Sequence, residues 1–172
     1  EKIGVDHYTK IISSEEFWAA VPDVQYFMDQ PLADPSCIAL YFVSQLASNY
    51  VKVVLSGEGA DELFGGYPWY HNKTLLFEEC FPWSKSLNIR RSILKSGILK
   101  HGEDYVMSRY FDTVRHTDKL PTDSTVDKRM REMFMLNFSY FMQCLLERKD
   151  RCSMYNGLEV RVPFCDYRLV EY

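Results

Sequence analysis

Residues 51–67 read Val-Lys-Val-Val-Leu-Ser-Gly-Glu-Gly-Ala-Asp-Glu-Leu-Phe-Gly-Gly-Tyr. An apolar, β-branched run, Val51 to Leu55, breaks off at Ser56-Gly57-Glu58-Gly59. The run has the composition of a strand buried on both faces. The two glycines admit backbone angles that a sharp turn needs. Ala60 to Phe64 then suits a short helix, with Gly65-Gly66 to end it. Strand, glycine turn and helix make the layout in which open α/β sheets bind ligands at the carboxyl ends of their strands.

The turn carries three acids, Glu58, Asp61 and Glu62, and no lysine. It is not a Walker loop, because the Gly-Lys-Ser/Thr ending is absent. Two readings of the acids carry equal weight. In one, they face a phosphorylated ligand across a divalent cation, for which Mg²⁺ is the usual choice. In the other, Asp61 and Glu62 simply occupy a first helical turn, where the helix dipole favours negative charge.

Before that stretch, Tyr8 to Ile12 suits a short strand, and Ser13-x-x-Glu16 has capping-box spacing. A helix is expected from Ser14 to Ala20, interrupted at Pro22 and resuming to Met28. Asp34-Pro35 is a helix start, with Asp34 as N-cap and Pro35 at the first helical position. The next helix, Ser36 to about Ser48, is apolar nearly all round (Ile38, Leu40, Phe42, Val43, Leu46), so it should be well buried. Strand, helix, strand up to Val51 predicts a parallel crossover.

After residue 70 the pattern is helical. Lys73–Cys80, Ser86–Lys100 and His101–Lys119 are successive candidates. Val126 to Asp150 is the longest, with Met130, Phe134, Phe138, Phe141 and Leu145 recurring at core spacing. Leu158, Val160 and Val162 alternate with Glu159 and Arg161, as in an extended segment. The charges just before them, Arg148 to Arg151, suit either ion pairs fixing a loop or ligands for a phosphorylated substrate. The fold expected is α/β, with residues 1–70 as an α/β part and 71–172 as a mainly helical part.

Composition narrows the function. A net charge of −4 over 172 residues leaves no dominant basic face, which argues against nucleic acid as the main partner. No apolar run approaches the roughly 20 residues that a membrane helix needs. The five cysteines are odd in number and scattered. They suit reduced thiols and a cytoplasmic setting better than disulfides or zinc. The four histidines are dispersed and form no metal-binding pair. The chain starts at Glu1 and stops at Tyr172, and both ends are expected to be cuts in a longer protein.

Ser56 to Tyr67 closely resembles a signature of the glutamine-hydrolysing asparagine synthetases. Arg148-x-Asp150-Arg151-x-Ser153-Met154 and Gly157-Leu158-Glu159-x-Arg161-Val162-Pro163-Phe164-x-Asp166 resemble a second one. The resemblance implies a synthetase domain of the adenine nucleotide alpha-hydrolase type, the PP-loop ATP pyrophosphatase fold, here incomplete. Such a domain adenylates aspartate with ATP and Mg²⁺, and ammonia from glutamine then displaces AMP. The ammonia comes from an N-terminal glutaminase domain of the same chain, and a homodimer is a possible assembly. By the same resemblance Ser56 and Gly57 contact the nucleotide, with Arg151 beside it. Asp61 helps hold Mg²⁺ at the pyrophosphate, and Glu58 acts near the aspartyl-AMP intermediate. The family's Ser-Gly-Gly-x-Asp-Ser loop does not occur in the chain and is expected upstream, and its Trp-Arg-x-Lys segment is expected downstream. Where many relatives carry acids before Leu145, this chain has Gln143-Cys144. The acceptor is therefore left as aspartate or another acid. A β-lactam-synthetase-like ring-closing ligase and a non-catalytic interaction module of the same fold are the alternatives.

Overall fold

The computed structural model describes residues 4–30, 34 and 36–171. In chain order the helices are α1 (Ser14–Met28) and α2 (Ser36–Ser48), followed by strand β1 (Val53–Leu55). Then come α3 (Ala60–Phe64), α4 (Pro68–His71), α5 (Lys73–Phe77), α6 (Asn88–Ile93), α7 (Gly102–His116) and α8 (Thr125–Leu136). A π-helical turn (Asn137–Phe141) leads into α9 (Met142–Tyr155), strand β2 (Glu159–Arg161), a 3₁₀ turn (Pro163–Cys165) and α10 (Tyr167–Val170). The chain divides into two compact units, residues 1–58 with 144–172, and residues 59–143.

In the first unit, Ser13 and Glu16 form the expected capping box at the start of α1. Pro22 does not interrupt α1, which runs through it. Pro22 lies on the exposed side, where water can satisfy the carbonyl that a proline frees. On the other side Ala20, Val24 and Met28 recur every four residues and pack with Cys37, Ile38, Tyr41, Phe42 and Cys152 into one core. Helix α2 has the expected bounds, but Val43 is exposed, so the helix is buried on one side rather than all round. Asp34 accepts from the Ser36 backbone N–H at 2.9 Å, as an N-cap should. Pro35 lies outside the described residues.

The expected strand at Tyr8–Ile12 is absent. Its side chains serve other contacts instead. Tyr8 packs on Tyr50, Lys10 pairs with Glu16, and Ile12 packs on the core. The parallel partner of β1 comes from the far end of the chain: Val53 lies opposite Glu159, Val54 opposite Val160 and Leu55 opposite Arg161. Lys52 accepts from the Glu159 N–H and Ser56 donates to the Arg161 carbonyl, each at 2.9 Å. The sheet is therefore α/β and parallel, but it has two strands among the described residues. Val53 and Leu55 are exposed rather than buried, as no layer of the described residues covers that face of the pair.

The second unit is helical and aromatic. Tyr70, Leu76 and Met133 form one cluster, and Phe81, Tyr110 and Leu136 another. Asn72 ends α4 and starts α5, its side-chain oxygen accepting from the Thr74 and Leu75 N–H groups. Ser86–Lys100 yields only the short α6, which has no buried residue to hold more turns in place. The long helix expected from Val126 is broken at residues 137–141. Buried Asn137 turns its side-chain amide back to the Met133 carbonyl at 2.8 Å. One extra residue in a turn rotates the rest of the helix by about 100°. Phe138 is thereby turned outward, whereas Phe134 stacks on Tyr70 at 4.7 Å and Phe141 on Trp83 at 4.9 Å.

Candidate active site

In the first unit, Ser56 directly follows β1 and still donates its N–H to the Arg161 carbonyl of β2, so Gly57 and Glu58 leave from the carboxyl end of a parallel strand. Of the two glycines here, only Gly59 takes a left-handed conformation, with φ at 90°. Gly57 does not, and a side chain there would meet nothing within 4 Å. The turn geometry thus needs one glycine, at Gly59, and the backbone at Gly57 is left open.

Glu58 is mostly buried, its side chain 15% exposed. One carboxylate oxygen takes the Lys149 ammonium from α9 at 3.0 Å, and the other accepts from the Ser56 hydroxyl. Cys165, from the 3₁₀ turn, lies with its Sγ 3.8 Å from the Glu58 carbonyl. Burial disfavours the charged form of Glu58. The Ser56 hydroxyl and Lys149 outweigh it and hold the carboxyl below the usual glutamate range. The turn itself holds no lysine, but the fold brings one from α9.

The neighbouring basic residues of α9 have different work. Arg148 donates to Asp34 at 2.5 Å and to the Ser36 hydroxyl, tying α9 to the start of α2. Arg151 donates to the Phe27 carbonyl at 3.2 Å and pairs with Asp29 at 3.4 Å and Glu147 at 3.1 Å. Arg151 thus braces the end of α1. Arg161 pairs with Glu159 on the exposed side of β2. The ion-pair reading of this charge run accounts for these partners.

In the second unit, Asp61 and Glu62 open α3, and they differ. Glu62 is buried and accepts from the Tyr67 hydroxyl at 2.7 Å. Burial and Glu62 together push the Tyr67 phenol above its ordinary value. Asp61 is exposed, and among the described residues it enters no ion pair. Its carboxylate lies against Gly66, where any Cβ would overlap it. Among the described residues no group of three or more His, Cys, Asp or Glu side chains gathers to hold a metal unaided. Mg²⁺ bound chiefly through phosphate oxygens needs only one or two protein carboxylates, a demand Asp61 fits.

The asparagine synthase family model matches residues 1–172. The chain belongs to the asparagine synthase family. It is 41% identical over 175 aligned positions to glutamine-hydrolysing asparagine synthetase 3 of Bacillus subtilis, covering 100% of this chain and 28% of that protein. A putative glutamine-hydrolysing asparagine synthetase of Mycobacterium bovis is 34% identical over 197 positions, with 96% of this chain and 30% of that protein covered. The human glutamine-hydrolysing asparagine synthetase is 23% identical over 178 positions, with 100% and 22% covered. The chain thus spans less than a third of the length of these relatives.

Within this asparagine synthase segment, sequence reading found Ser56, Gly57 and Glu58 together and missed Lys149. No periodicity links positions so far apart in the chain. The only signal was the basic run at Arg148–Arg151, from which nothing singles out the member that turns toward β1.

Proposed function

We propose that this chain is part of the synthetase domain of a glutamine-dependent asparagine synthetase, built on the PP-loop fold. The observation that carries the reading is Glu58: an anionic, mostly buried carboxylate at the carboxyl end of a parallel strand, with Ser56 and Lys149 upon it. In the reaction, the side-chain carboxylate of aspartate attacks the α-phosphorus of ATP, and pyrophosphate leaves. Ammonia then attacks the acyl carbon, a proton is lost from nitrogen, and AMP leaves.

Both steps bring anions together or release a proton, and the residues suit both. Ser56 and the bare backbone of Gly57 let a nucleotide approach the strand end closely. Mg²⁺, held in part by Asp61, would supply positive charge at the leaving pyrophosphate. Glu58 repels phosphate but attracts ammonium and accepts a proton from attacking ammonia. Arg151, expected beside the nucleotide, is engaged with Phe27, Asp29 and Glu147, so its part in the reading is to support the frame of the site. The rest of the synthetase domain, the glutaminase domain that supplies ammonia, and any pairing of subunits belong to the longer protein.

The test uses the full-length protein. Glu58→Ala should abolish AMP formation from ATP and aspartate while leaving glutamine hydrolysis intact. Asparagine synthesis at the normal rate by that variant would end the assignment. Offering N-carboxyalkyl amino acids beside aspartate plus ammonia separates the ring-closing alternative. Absence of AMP formation by the wild-type protein with any acceptor would favour an interaction module.

A further inference from the structure

A carboxylate that must accept a proton or hold a cation needs to be charged and fixed in direction before its ligand arrives. Glu58 meets both conditions through a residue that its own turn does not contain. Lys149 reaches it from α9 with its ammonium 3.0 Å from one oxygen, the two side chains being 16% and 15% exposed. The Ser56 hydroxyl holds the other oxygen. A carboxylate offers about four acceptor positions; Lys149, Ser56 and the residue's own backbone N–H engage it, which leaves about one free. The pair is also locally neutral. It presents less repulsion to an anionic substrate than a lone carboxylate would.

Resting on the role given to Glu58 above, we propose that Lys149 is the positioning residue of this site. Its ammonium keeps the Glu58 carboxylate charged and aimed, with a lone pair left open toward the substrate's nitrogen. Among the described residues the Glu58 carboxylate is met by the Ser56 hydroxyl, by Lys149 from α9 and by its own backbone N–H, while Cys165 from the 3₁₀ turn lies against the Glu58 backbone carbonyl. Of these, Lys149 alone carries positive charge. Despite its burial, Glu58 is held below the usual glutamate range by the Ser56 hydroxyl together with the hydrogen bond and charge of Lys149.

Activity needs Glu58 deprotonated and fails as pH falls through its pKa. Removing the Lys149 charge leaves burial unopposed by an opposite charge, so that pKa rises and the acid limb moves to higher pH. In the full-length protein, Lys149→Met should shift the acid limb of kcat/KM for AMP formation upward by about one unit or more. Glu58 stays ionised at neutral pH, so the loss there comes from its aim, and the rate should fall by about 10-fold or more. Lys149→Arg should restore both in part. Glutamine hydrolysis should not change, which checks that the protein is intact. Where Lys149→Met does not fold, Lys149→Gln serves, keeping a donor without charge, and the same shift is expected. An unmoved acid limb in the neutral variant, with or without a slower rate, would overturn the proposal. Glu58→Gln run alongside separates the two claims. If Glu58→Gln is fully active, the role of Glu58 itself falls. If it is inactive while Lys149→Met keeps the normal limb, only the role of Lys149 falls.

Discussion

Glu58 and Glu132 are the same group in similar surroundings, one in each compact unit. Glu58 is 15% exposed and takes Lys149 and Ser56, whereas Glu132 is 13% exposed and takes Lys119 at 2.7 Å and Arg129 at 2.8 Å. In both, burial disfavours the charge and cationic or hydrogen-bonding partners overcome it, so both carboxyls sit below the usual glutamate range. Their partners differ in what else they hold. Arg129 also donates to the Leu76 and Glu78 carbonyls, joining α8 to the end of α5. Every group around Glu132 is thus part of a brace. Among the described residues, the side-chain contacts of Lys149 and Ser56 run to Glu58 itself, and the backbone beside it at Gly57 is open. A perturbed carboxyl marks a reactive site only when its partners leave it something to do.

The sharpest way to break this contrast is to neutralise each acid in turn in the full-length protein. Glu58→Gln should cut AMP formation by about 100-fold or more and lower stability less than the change at Glu132 does, because it leaves one cation rather than two without its partner. Glu132→Gln should do the reverse, costing about 3 kcal/mol in denaturant melts because Arg129 is left buried without its partner. Its AMP formation should stay near normal at temperatures where it is folded. Equal activity losses in the two variants would erase the distinction.

Gly57→Ala sharpens it further. The structure gives Gly57 no packing or torsional need to be glycine, so stability should change by less than about 0.5 kcal/mol. A methyl group where a nucleotide must approach should raise the KM for ATP by about 10-fold or more. Unchanged kinetics would mean that the strand end does not face the nucleotide.

The same contrast explains what the sequence made legible. Local chemistry was readable: the Ser13–Glu16 box, α2, the strand with its glycine turn, and α3 between Gly59 and Gly65 all form as their residues dictate. The alternation at Leu158–Val162 located the extended segment that meets β1, yet the pairing was assigned to Tyr8–Ile12. That segment has strand-like composition, and alternation cannot tell which of two short extended segments pairs with a third. The break at Asn137 was hidden because a single side chain turning back on its own helix leaves no periodic trace. Lys149 was hidden because tertiary structure alone brings it to Glu58.

A smaller effect tests both carboxyls at once. Each has a folded-state pKa below the ordinary value of 4.5, so each adds stability above that pH and loses it as pH falls through the lower folded value. Acid titration of stability should therefore steepen below about pH 4.5 in the wild type. Glu132→Gln should flatten that dependence in part. If the curve of the variant matches the wild type, Glu132 is not ion-paired in solution.

The smallest expected effect lies at Asn72, which has a structural role and no chemical one. Its side-chain oxygen accepts from two backbone N–H groups that α5 cannot satisfy itself, at 3.0 and 3.3 Å. Asn72→Ala should therefore cost about 1 kcal/mol, while Asn72→Asp, which keeps the acceptor, should cost much less. Neither should alter the pH profile of AMP formation, since the cap touches only the frame of the second unit. A change in that profile from a cap in the other unit would show that the braces of the helical unit and the charge at Glu58 are energetically coupled, and the division between bracing and reacting carboxylates would have to be redrawn.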